Sequence, residues 1–447
     1  MLISFTVENY RSFAEEQTLS LGAVKDDTHP DHVVNRGKFS LLKSIAVYGS
    51  NASGKSNLLK AFDFMANFVK NSATEMNLGD PISGANHYRL DKARSGMPCS
   101  FDIRVLLNET EYQYGFSASE ERVHDEWLYV TRKGTKSTNP LSRRFDPSTE
   151  KTDWKLRREL KGSRDLIEKT RDNGLFLSRA AEMNVGFVKE LFLWFAKRLQ
   201  YWHLARMRAG ALIEQTAGRI EKSDSSRARI ERLIHDADFG IEGLSTSKQP
   251  RFPSLEDVSE ETRKFNQALR DLVASVVRRG KLGEEDTLNK LVVQTLHRIP
   301  NSGDSVAFSL ETDESDGTQR FFGIIGTILR TLDDGALLIV DELDCSMHPQ
   351  LTRKLVEMFH SEEANPKGAQ LIFATHDTNL MTPSLFRRDQ IWLTEKTQNG
   401  NTELFSLSDI ESERRPRKDE PFEKNYLAGR YGGVPAFGPA LEDFGVQ

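Results

Sequence analysis

Eight residues in the first part of the chain have the types and the spacing of a loop that binds phosphate groups. The segment Gly49-Ser50-Asn51-Ala52-Ser53-Gly54-Lys55-Ser56 matches the pattern GxxxxGK[ST]. Glycine permits the backbone angles and the close approach that let consecutive N–H groups point at phosphate oxygens. The Lys55 ammonium would attract the β- and γ-phosphates of a nucleotide, and the Ser56 hydroxyl can ligate Mg²⁺. Asn57 follows directly and completes the predicted nucleotide-binding segment.

Two carboxylates, Asp341 and Glu342, follow an apolar run later in the chain. The run Ala336-Leu337-Leu338-Ile339-Val340 predicts a buried strand. An acidic pair at the end of such a strand occupies the Walker B position of P-loop ATPases. Asp341 would hold Mg²⁺ directly or through water. Glu342 would orient and polarise the water that attacks the γ-phosphate.

Two further segments could contact a nucleotide. His376 follows the apolar run 370–374, and ligands of open α/β sheets bind at the carboxyl edge of the strands, where this ring could bond the γ-phosphate or the attacking water. The segment ESDGTQR, residues 314–320, has the residue types of a helix start. Ser315 or Asp316 would cap that helix, and Gly317 would allow a ligand to approach closely. From these residues alone, an ordinary capped helix remains an open alternative.

The apolar pattern predicts the elements that must position these residues. Ile45 to Tyr48 predicts a buried strand before the loop, and apolar residues at intervals of three or four after Lys55 predict a helix to about Ser72. Further strands are predicted at 2–7, 306–310, 336–340, 370–374, 390–394 and 403–407, and helices at 317–332 and 349–360. Strands alternating with helices predict a mainly parallel sheet covered on both faces.

The rest of the chain has other patterns. Residues 17–24 are expected to pair with the first strand, and the polar segment 27–38 is expected to be a loop. Residues 99–130 alternate strongly around the turn-like Asn108-Glu109, which predicts an antiparallel β lobe. Residues 131–300 are predicted to be mostly helical, with the apolar segment 187–204 in a core or an interface.

Composition limits the class of protein. The 447 residues carry a net charge of −5, with 38% hydrophobic and 28% charged residues, which excludes wholesale disorder and collagen-like chains. Cys99 and Cys345 are the only cysteines, so we expect no disulfide framework and a reducing, cytoplasmic environment. No apolar run approaches the roughly 18 residues of a membrane span, and the N-terminus lacks the core of a signal peptide.

One region departs from the overall charge. Residues 151–240 contain 19 Lys and Arg against 13 Asp and Glu, although the chain as a whole is acidic. Such a local excess fits either a solvated helical surface or a face that binds nucleic acid or a protein partner.

In their order along the chain, these motifs resemble the ABC-type ATPase heads of the SMC/Rad50-like branch. The opening ISFTVENYRSF and the segment GSNASGKSNLLKAF are similar to that branch. The combination of YRL, NGLFLSRAAEMN, ESDGTQR, LLIVDELDCSMHPQL, FATHD and YLAGRYGG looks like the AAA15-type, RloA/AbiLi-like ATPases of bacterial anti-phage and restriction-associated operons. That broad group includes the ATPase of the PARIS defence system. The resemblance covers most of the chain and is weak between about 205 and 300.

The resemblance implies an α/β fold: a P-loop NTPase of the ABC type, whose head carries an antiparallel β lobe and a large helical insertion. The implied parts are an N-terminal ATPase half at 1–130, a helical insertion at 131–304, a C-terminal ATPase half at 305–410 and a tail at 411–447.

The resemblance also implies a shared site. Two heads would enclose two ATP molecules, with Ser315 and Gly317 of one head on the γ-phosphate held by the loop of the other. Asp344 would lie at the seam between heads, and Asn51 would approach the γ-phosphate. The signature reads SDGTQ where transporters have LSGGQ, and no Q-loop glutamine is assigned, because the register of Gln113 in the lobe is open.

The implied activity is hydrolysis of ATP to ADP and phosphate with Mg²⁺. Lys55, Glu342 and His376 would be catalytic, and Ser56 and Asp341 would hold the metal. The leading hypothesis is a sensor and scaffold in phage defence, a homodimer or larger homo-oligomer that controls a separately encoded, nuclease-like effector. The alternative is a RecF/Rad50-like clamp for DNA maintenance, whose basic insert binds DNA. A transporter motor is disfavoured, because such motors lack a comparable insertion.

Overall fold

The computed structural model describes residues 1–237, 239–250, 289–410 and 416–435. The chain divides into two compact units. The first contains Met1–Ala205, Thr331–Asp344 and Thr352–Gln447, and the second contains Arg206–Arg330 and Cys345–Leu351. These divisions differ from the predicted boundaries at 130 and 304, because the chain leaves the first unit at Ala205 and returns to it at Thr331.

A six-stranded sheet forms the centre of the first unit. Its strands are β5 (Ser44–Gly49), β11 (Leu199–His203), β15 (Leu337–Asp341), β16 (Gln370–Ala374), β17 (Ile391–Lys396) and β18 (Thr402–Ser406). Their order in the sheet is β11-β15-β16-β5-β17-β18, and every neighbouring pair is parallel except β17 with β18. The predicted parallel α/β sheet is therefore confirmed.

The apolar pattern correctly located the elements that surround the predicted site. Strands β5, β15 and β16 are buried along their whole length, as continuous apolar runs require. Helix α1 (Lys55–Asn71) begins at the end of the phosphate loop and buries Leu58, Leu59 and Phe62. Helix α8 (Pro349–His360) follows the acidic pair, within the range predicted for it.

A second, seven-stranded sheet forms the β lobe, with the order β10-β9-β8-β7-β6-β1-β2 and only antiparallel neighbours. Its strands are β1 (Leu2–Glu8), β2 (Gln17–Ser20), β6 (Cys99–Leu107), β7 (Thr110–Ala118), β8 (Val123–Thr131), β9 (Thr138–Asp146) and β10 (Lys151–Leu156). The lobe is confirmed, but the boundary at residue 130 is wrong, because two more strands extend it to Leu156.

A buried ion pair connects the lobe to the short helices that follow it. Glu126 and Arg143 are almost completely buried, and Arg143 Nη1 lies 3.8 Å from Glu126 Oε2. Glu126 also accepts the backbone N–H groups of Phe176 and Leu177, at the start of α3 (Phe176–Glu182). These bonds satisfy a carboxylate that would otherwise be costly to bury. They give the segment NGLFLSRAAEMN a structural role.

Other helices cover this part of the first unit. They are α2 (Asp165–Lys169) and α4 (Gly186–Leu193), and α4 runs through a π-helical turn at Trp194–Arg198 into β11. Leu191, Trp194 and Phe195 are buried in the core, which confirms the prediction for the segment 187–204. Within the described residues, no helix is both long enough and apolar enough to cross a membrane.

The second unit combines helices with a small sheet. Its helices are α5 (Ala209–Lys222) and α6 (Asp224–Asp236), and α7 (Asp316–Asp334) begins in it. An antiparallel sheet has the order β12-β13-β14, with β12 (Ile241–Pro250), β13 (Asn289–Arg298) and β14 (Ser305–Ser309). The prediction that 131–300 is mostly helical is therefore wrong for its described part, while residues 251–288 of that range lie outside the described residues.

The structure also shows what lies in the segment predicted to be a loop and in the predicted tail. The expected loop at 27–38 contains the 3-10 helix Pro30–His32 and β3 (Val33–Arg36), which pairs with β4 (Phe39–Leu42). In the tail, α9 (Phe422–Leu427) follows Pro421, whereas residues 411–415 and 436–447 of the predicted tail lie outside the described residues.

Three histidine rings stack beside the first residue of β5. The His32 ring lies 3.5 Å from His360 and 4.5 Å from His29, measured between ring centroids. His360 Nε2 bonds the Ser44 hydroxyl at 2.7 Å, and His32 Nδ1 bonds Gln390 Oε1 at 2.8 Å. Burial lowers the pKa of His32 to about 4 and lowers that of His360 well below its usual range.

This stack predicts a pH-dependent stability. An unfolded histidine takes up its proton near pH 6.5, whereas folded His32 does so only near pH 4, so acid favours the unfolded chain between these values. The contribution of His32 is complete above pH 6.5 and falls as the pH falls, by about 1.4 kcal/mol at pH 5.5. Urea unfolding at pH 7.5 and pH 5.5 would measure it. We expect His32→Asn to lose less stability than the parent chain between these pH values; an equal loss in both would contradict the assignment.

A candidate nucleotide site

The residues predicted for phosphate chemistry meet in one cavity. A cavity of about 400 Å³ lies at the carboxyl ends of β5, β15 and β16, entirely within the first unit. It is lined by Asn51, Ala52, Ser53, Gly54, Lys55, Ser56, Asn57, Asp341, Glu342, Ala374, Thr375 and His376. Gly49 and Ser50 begin the loop that forms one wall. The phosphate loop and two segments of the C-terminal part of the chain, some 280 residues further along, therefore converge as the topology of a parallel sheet requires.

The loop has a backbone conformation that requires glycine at two positions. Gly49 and Gly54 have φ angles of 148° and 123°. A Cβ at Gly49 would lie 2.4 Å from the Thr394 carbonyl oxygen, and one at Gly54 would lie 2.5 Å from the Thr402 side chain. Ala52 also has a positive φ, of 62°. The loop therefore combines unusual torsions with close contacts, which only glycine accepts at these two places.

Threonines of the β17–β18 hairpin support the loop from behind. The Thr394 and Ser53 hydroxyls lie 2.6 Å apart, and Thr402 Oγ1 donates to the Ser53 carbonyl at 2.7 Å. The Ser12 hydroxyl accepts a hydrogen bond from Asn57 Nδ2 at 2.9 Å and lies 2.9 Å from Thr402 Oγ1. Sequence reasoning missed these supporting residues, because nothing in their local pattern distinguishes them from ordinary strand or loop threonines and serines.

Lys55 is buried and points into the loop. Its Nζ donates to the carbonyl oxygens of Gly49 at 2.7 Å and Ser50 at 3.1 Å. Burial lowers the pKa of Lys55 to about 8, and the nearby carboxylates Asp341, Asp344 and Glu342 oppose that shift. A lysine with this pKa is mostly protonated at pH 7, so it can serve as a fixed positive charge for phosphate.

Ser56 and Asp341 lie together, and their oxygen atoms fit a magnesium site. Ser56 Oγ donates to Asp341 Oδ1 at 3.2 Å. Asp341 is 1% exposed, and its Oδ2 atom has no hydrogen-bond partner within the described part of the chain. A hydroxyl and a carboxylate are ligands that Mg²⁺ accepts, and the metal usually completes its shell with water and phosphate oxygens. The donor set therefore suits Mg²⁺ bound together with a nucleotide.

Glu342 and His376 lie on the same cavity. Glu342 has a φ of 61°, in the left-handed region that a residue with a Cβ seldom occupies. Such a torsion costs of order 1 kcal/mol. Desolvation and then the Lys55 ammonium lower the pKa of His376, so its ring is neutral at pH 7. The backbone N–H of His376 donates to Asp344 Oδ2 at 3.4 Å.

The predicted signature residues belong to the second unit. The Ser315 hydroxyl accepts the backbone N–H of Thr318 at 3.1 Å, so Ser315 is the residue that caps α7. A Cβ at Gly317 would lie 2.8 Å from the Ser346 carbonyl oxygen. Gly317 therefore permits close packing of the helix start against Ser346 within this unit. That packing is a structural reason for the glycine.

The structure gives the position of Gln113, the residue whose register was left open when no Q-loop glutamine was assigned. Gln113 lies on β7, where its amide donates to the Asp102 carboxylate at 3.1 and 3.2 Å, and it does not line the cavity.

His203, the last residue of β11, was not singled out by sequence reasoning. Its Nε2 lies 3.7 Å from Asp341 Oδ2. A lone histidine at the end of an amphipathic segment carries no signal that would have revealed this position.

Comparison with known structures gives distant matches. The SMC head domain from Thermotoga maritima matches with 12% identity and a TM-score of 0.36, covering 92% of this chain and 99% of that one. The recombination mediator protein RecF in the RecFOR pathway, with ATP, matches with 12% identity and a TM-score of 0.29, covering 91% and 99%. No curated protein matches the sequence.

A family model accounts for most of the chain. The model described as "AAA domain, putative AbiEii toxin, Type IV TA system" matches residues 44–382, from the start of β5 to beyond His376. That range contains the phosphate loop, the acidic pair and the signature helix, and the fold is that of a P-loop ATPase. The chain therefore belongs to the AbiEii-like family of AAA domains.

Proposed function

We propose that this protein binds ATP with Mg²⁺ and hydrolyses it to ADP and phosphate. The observation that carries the proposal is the single cavity in which the phosphate loop, the acidic pair and His376 meet. The loop N–H groups and Lys55 would bind the phosphates, and Ser56 and Asp341 would hold the metal. Mg²⁺ would neutralise phosphate charge there.

The remaining side chains suit the attack of water on the γ-phosphate. The Glu342 carboxylate would accept a proton from the water, and neutral His376 would bond the γ-phosphate or that water. Asn51, which is exposed at the rim of the cavity, would approach the γ-phosphate from the loop. These roles need a dry site, because charges and hydrogen bonds are stronger where water is excluded.

We further propose that two copies of the chain complete the site. Asn51, Ala52 and His376 are exposed, so the cavity of one chain is open on the side where the γ-phosphate would lie. Ser315 and Gly317 at the start of α7, and Asp344 after the acidic pair, would come from or border the second copy. Positive helix ends attract phosphate, which gives the capped start of α7 a physical reason to bind there.

The biological role we propose is control of a toxic effector in bacterial defence against phage, in the AAA15-type, RloA/AbiLi-like and PARIS group. The description of the family, which names a putative AbiEii toxin and a Type IV TA system, supports this direction. We infer a separately encoded effector with nuclease-like chemistry, and a cytoplasmic location. Both cysteines are free, which suits a reducing compartment.

One observation supports a second candidate, a RecF/Rad50-like clamp on DNA. The edge strand β10 and the turn after it carry exposed basic residues: Lys151, Lys155, Arg157, Arg158, Lys161 and Arg164. Phosphate backbones are bound by such surfaces. The same lysines would also prevent an edge strand from pairing with other chains, so their presence alone does not decide between the roles.

Removal of the loop lysine tests nucleotide binding. Lys55→Ala deletes a buried ammonium whose bonds to phosphate are charge-assisted, so we expect ATP affinity to fall about tenfold to a hundredfold. Calorimetric titration with ATP and Mg²⁺ would measure it. Lys70→Ala, at the other end of α1, is the matched control and should bind ATP normally. Unchanged affinity in Lys55→Ala would exclude the assigned phosphate loop.

A pair of variants tests hydrolysis and assembly together. Glu342→Gln keeps the shape of the side chain but removes the base, so turnover should fall by about 10² to 10⁴ while ATP-bound assemblies accumulate. Ser315→Arg added to this variant should remove the assemblies, because a large cation would occupy the contact, but each single chain should still bind ATP. Light scattering with ATP would measure assembly, release of phosphate would measure turnover, and calorimetric titration would measure ATP binding.

The control for assembly is Ser302→Arg, the same substitution in an exposed turn of the second unit. It should leave the assemblies of Glu342→Gln intact. Normal hydrolysis in Glu342→Gln would refute the role of that carboxylate. Assemblies that persist in the Ser315→Arg double variant would refute the shared site.

Duplex DNA and the products of flanking genes distinguish the two biological roles. The clamp predicts salt-sensitive binding to duplex DNA that is lost when Lys155, Arg158, Lys161 and Arg164 are changed to Glu. Lys133→Glu with Lys136→Glu, in a turn of the lobe, is the control. The defence role predicts no such loss, and a stable complex with a protein co-expressed from a neighbouring reading frame. Loss of DNA binding in the first variant alone would favour the clamp.

A further inference from the structure

His203 lies beside the carboxylate assigned to the metal. It ends β11, the edge strand next to β15, and the parallel register places it opposite Asp341. Its Nε2 is 3.7 Å from Asp341 Oδ2, and the two side chains are 13% and 1% exposed. Both residues belong to the first unit. The histidine is therefore fixed by the sheet itself, on the side of Asp341 away from the phosphate loop.

The two oxygens of Asp341 have different surroundings. Oδ1 accepts the Ser56 hydroxyl at 3.2 Å, on the side of the cavity. Oδ2 is buried, and among the described residues nothing donates a hydrogen bond to it. His203 Nδ1 is likewise buried and, in the same part of the chain, without a hydrogen-bond partner. A buried carboxylate oxygen without a donor is costly, so a nearby N–H group is expected to serve it.

The distance between the two groups is close to that of a hydrogen bond. A shift of about 0.8 Å would bring His203 Nε2 and Asp341 Oδ2 to the usual separation of N–H···O bonds. The ring would then donate from Nε2.

We infer that His203 is a positioning residue that holds Asp341 in the orientation required for Mg²⁺. This inference rests on the proposed ATPase function. Mg²⁺ prefers oxygen ligands, so the imidazole acts through the carboxylate and does not itself bind the metal. With Oδ2 held by the ring, Oδ1 faces Ser56 and the metal. Groups that orient metal-binding carboxylates in this way typically contribute tenfold to a hundredfold to metal affinity.

The test is the Mg²⁺ dependence of nucleotide binding, measured with the fluorescent analogue mant-ATP. His203→Leu keeps the bulk of the ring and removes its N–H, so half-maximal binding should require about tenfold more Mg²⁺. Affinity for mant-ATP in EDTA should stay unchanged, because the phosphate loop is intact. His203→Gln, whose amide can donate from a similar position, should recover most of the Mg²⁺ affinity. His124→Leu, on β8 of the lobe, is the matched control.

Three results would overturn the inference. The Mg²⁺ concentration that His203→Leu needs for half-maximal binding could remain within about twofold of that of the parent chain. This is well below the tenfold to hundredfold loss expected when a residue that orients a metal ligand is removed. The affinity in EDTA could fall as much as that in Mg²⁺, which would indicate a purely structural role. His203→Gln could also behave like His203→Leu. Should His203→Leu fail to fold, His203→Asn, whose amide is too short to reach Oδ2, replaces it in the same comparison.

The failure of the inference and that of the proposed function are distinguishable. If the parent chain does not bind mant-ATP at all, the proposed function fails, and the inference fails with it. If the parent chain binds with the expected Mg²⁺ dependence and His203→Leu does too, the inference alone fails.

Discussion

The backbone of the phosphate loop is the constraint on which the rest of the site depends. Gly49 and Gly54 have torsions that favour glycine, and the hairpin β17–β18 occupies the space where a side chain would extend. Thr394 and Thr402, some 340 residues further along the chain, supply the bonds that hold this shape. The loop is therefore a product of the completed sheet, although its motif is local.

Helix α1 connects the phosphate loop to the segment that follows the β lobe. Its first residue is Lys55, and its last carbonyl oxygens are bonded by side chains that follow the lobe. The Ser178 hydroxyl donates to the Val69 carbonyl at 2.6 Å, and Arg171 donates to the carbonyls of Ser72 and Ala73. Donors at a helix C-terminus satisfy carbonyls that have no partner within the helix. One rigid helix thus joins the site to the lobe.

Sequence reasoning succeeded where the information is local. Continuous apolar runs predicted β5, β15 and β16, and the three-to-four spacing predicted α1 and α8. Strand β10 was missed because it lies at a sheet edge, where alternating half-exposed and charged residues hide the pattern. The strands β12 and β13 were missed for a similar reason, since polar residues such as Ser245 and Gln294 occupy much of them. Thr394, Thr402 and His203 act only through contacts distant in sequence.

Charge explains why such a site would take a nucleotide together with a divalent cation. Asp341, Glu342 and Asp344 act on the single ammonium of Lys55, so the side chains alone provide more negative than positive charge. A triphosphate adds several more negative charges, and at close range in a partly dry cavity their repulsion is large. The loop N–H groups and the helix dipole offset part of it. If Ser56 and Asp341 hold Mg²⁺ as we propose, its two positive charges would offset part of this repulsion, and the orientation of Asp341 would then influence binding as well as turnover.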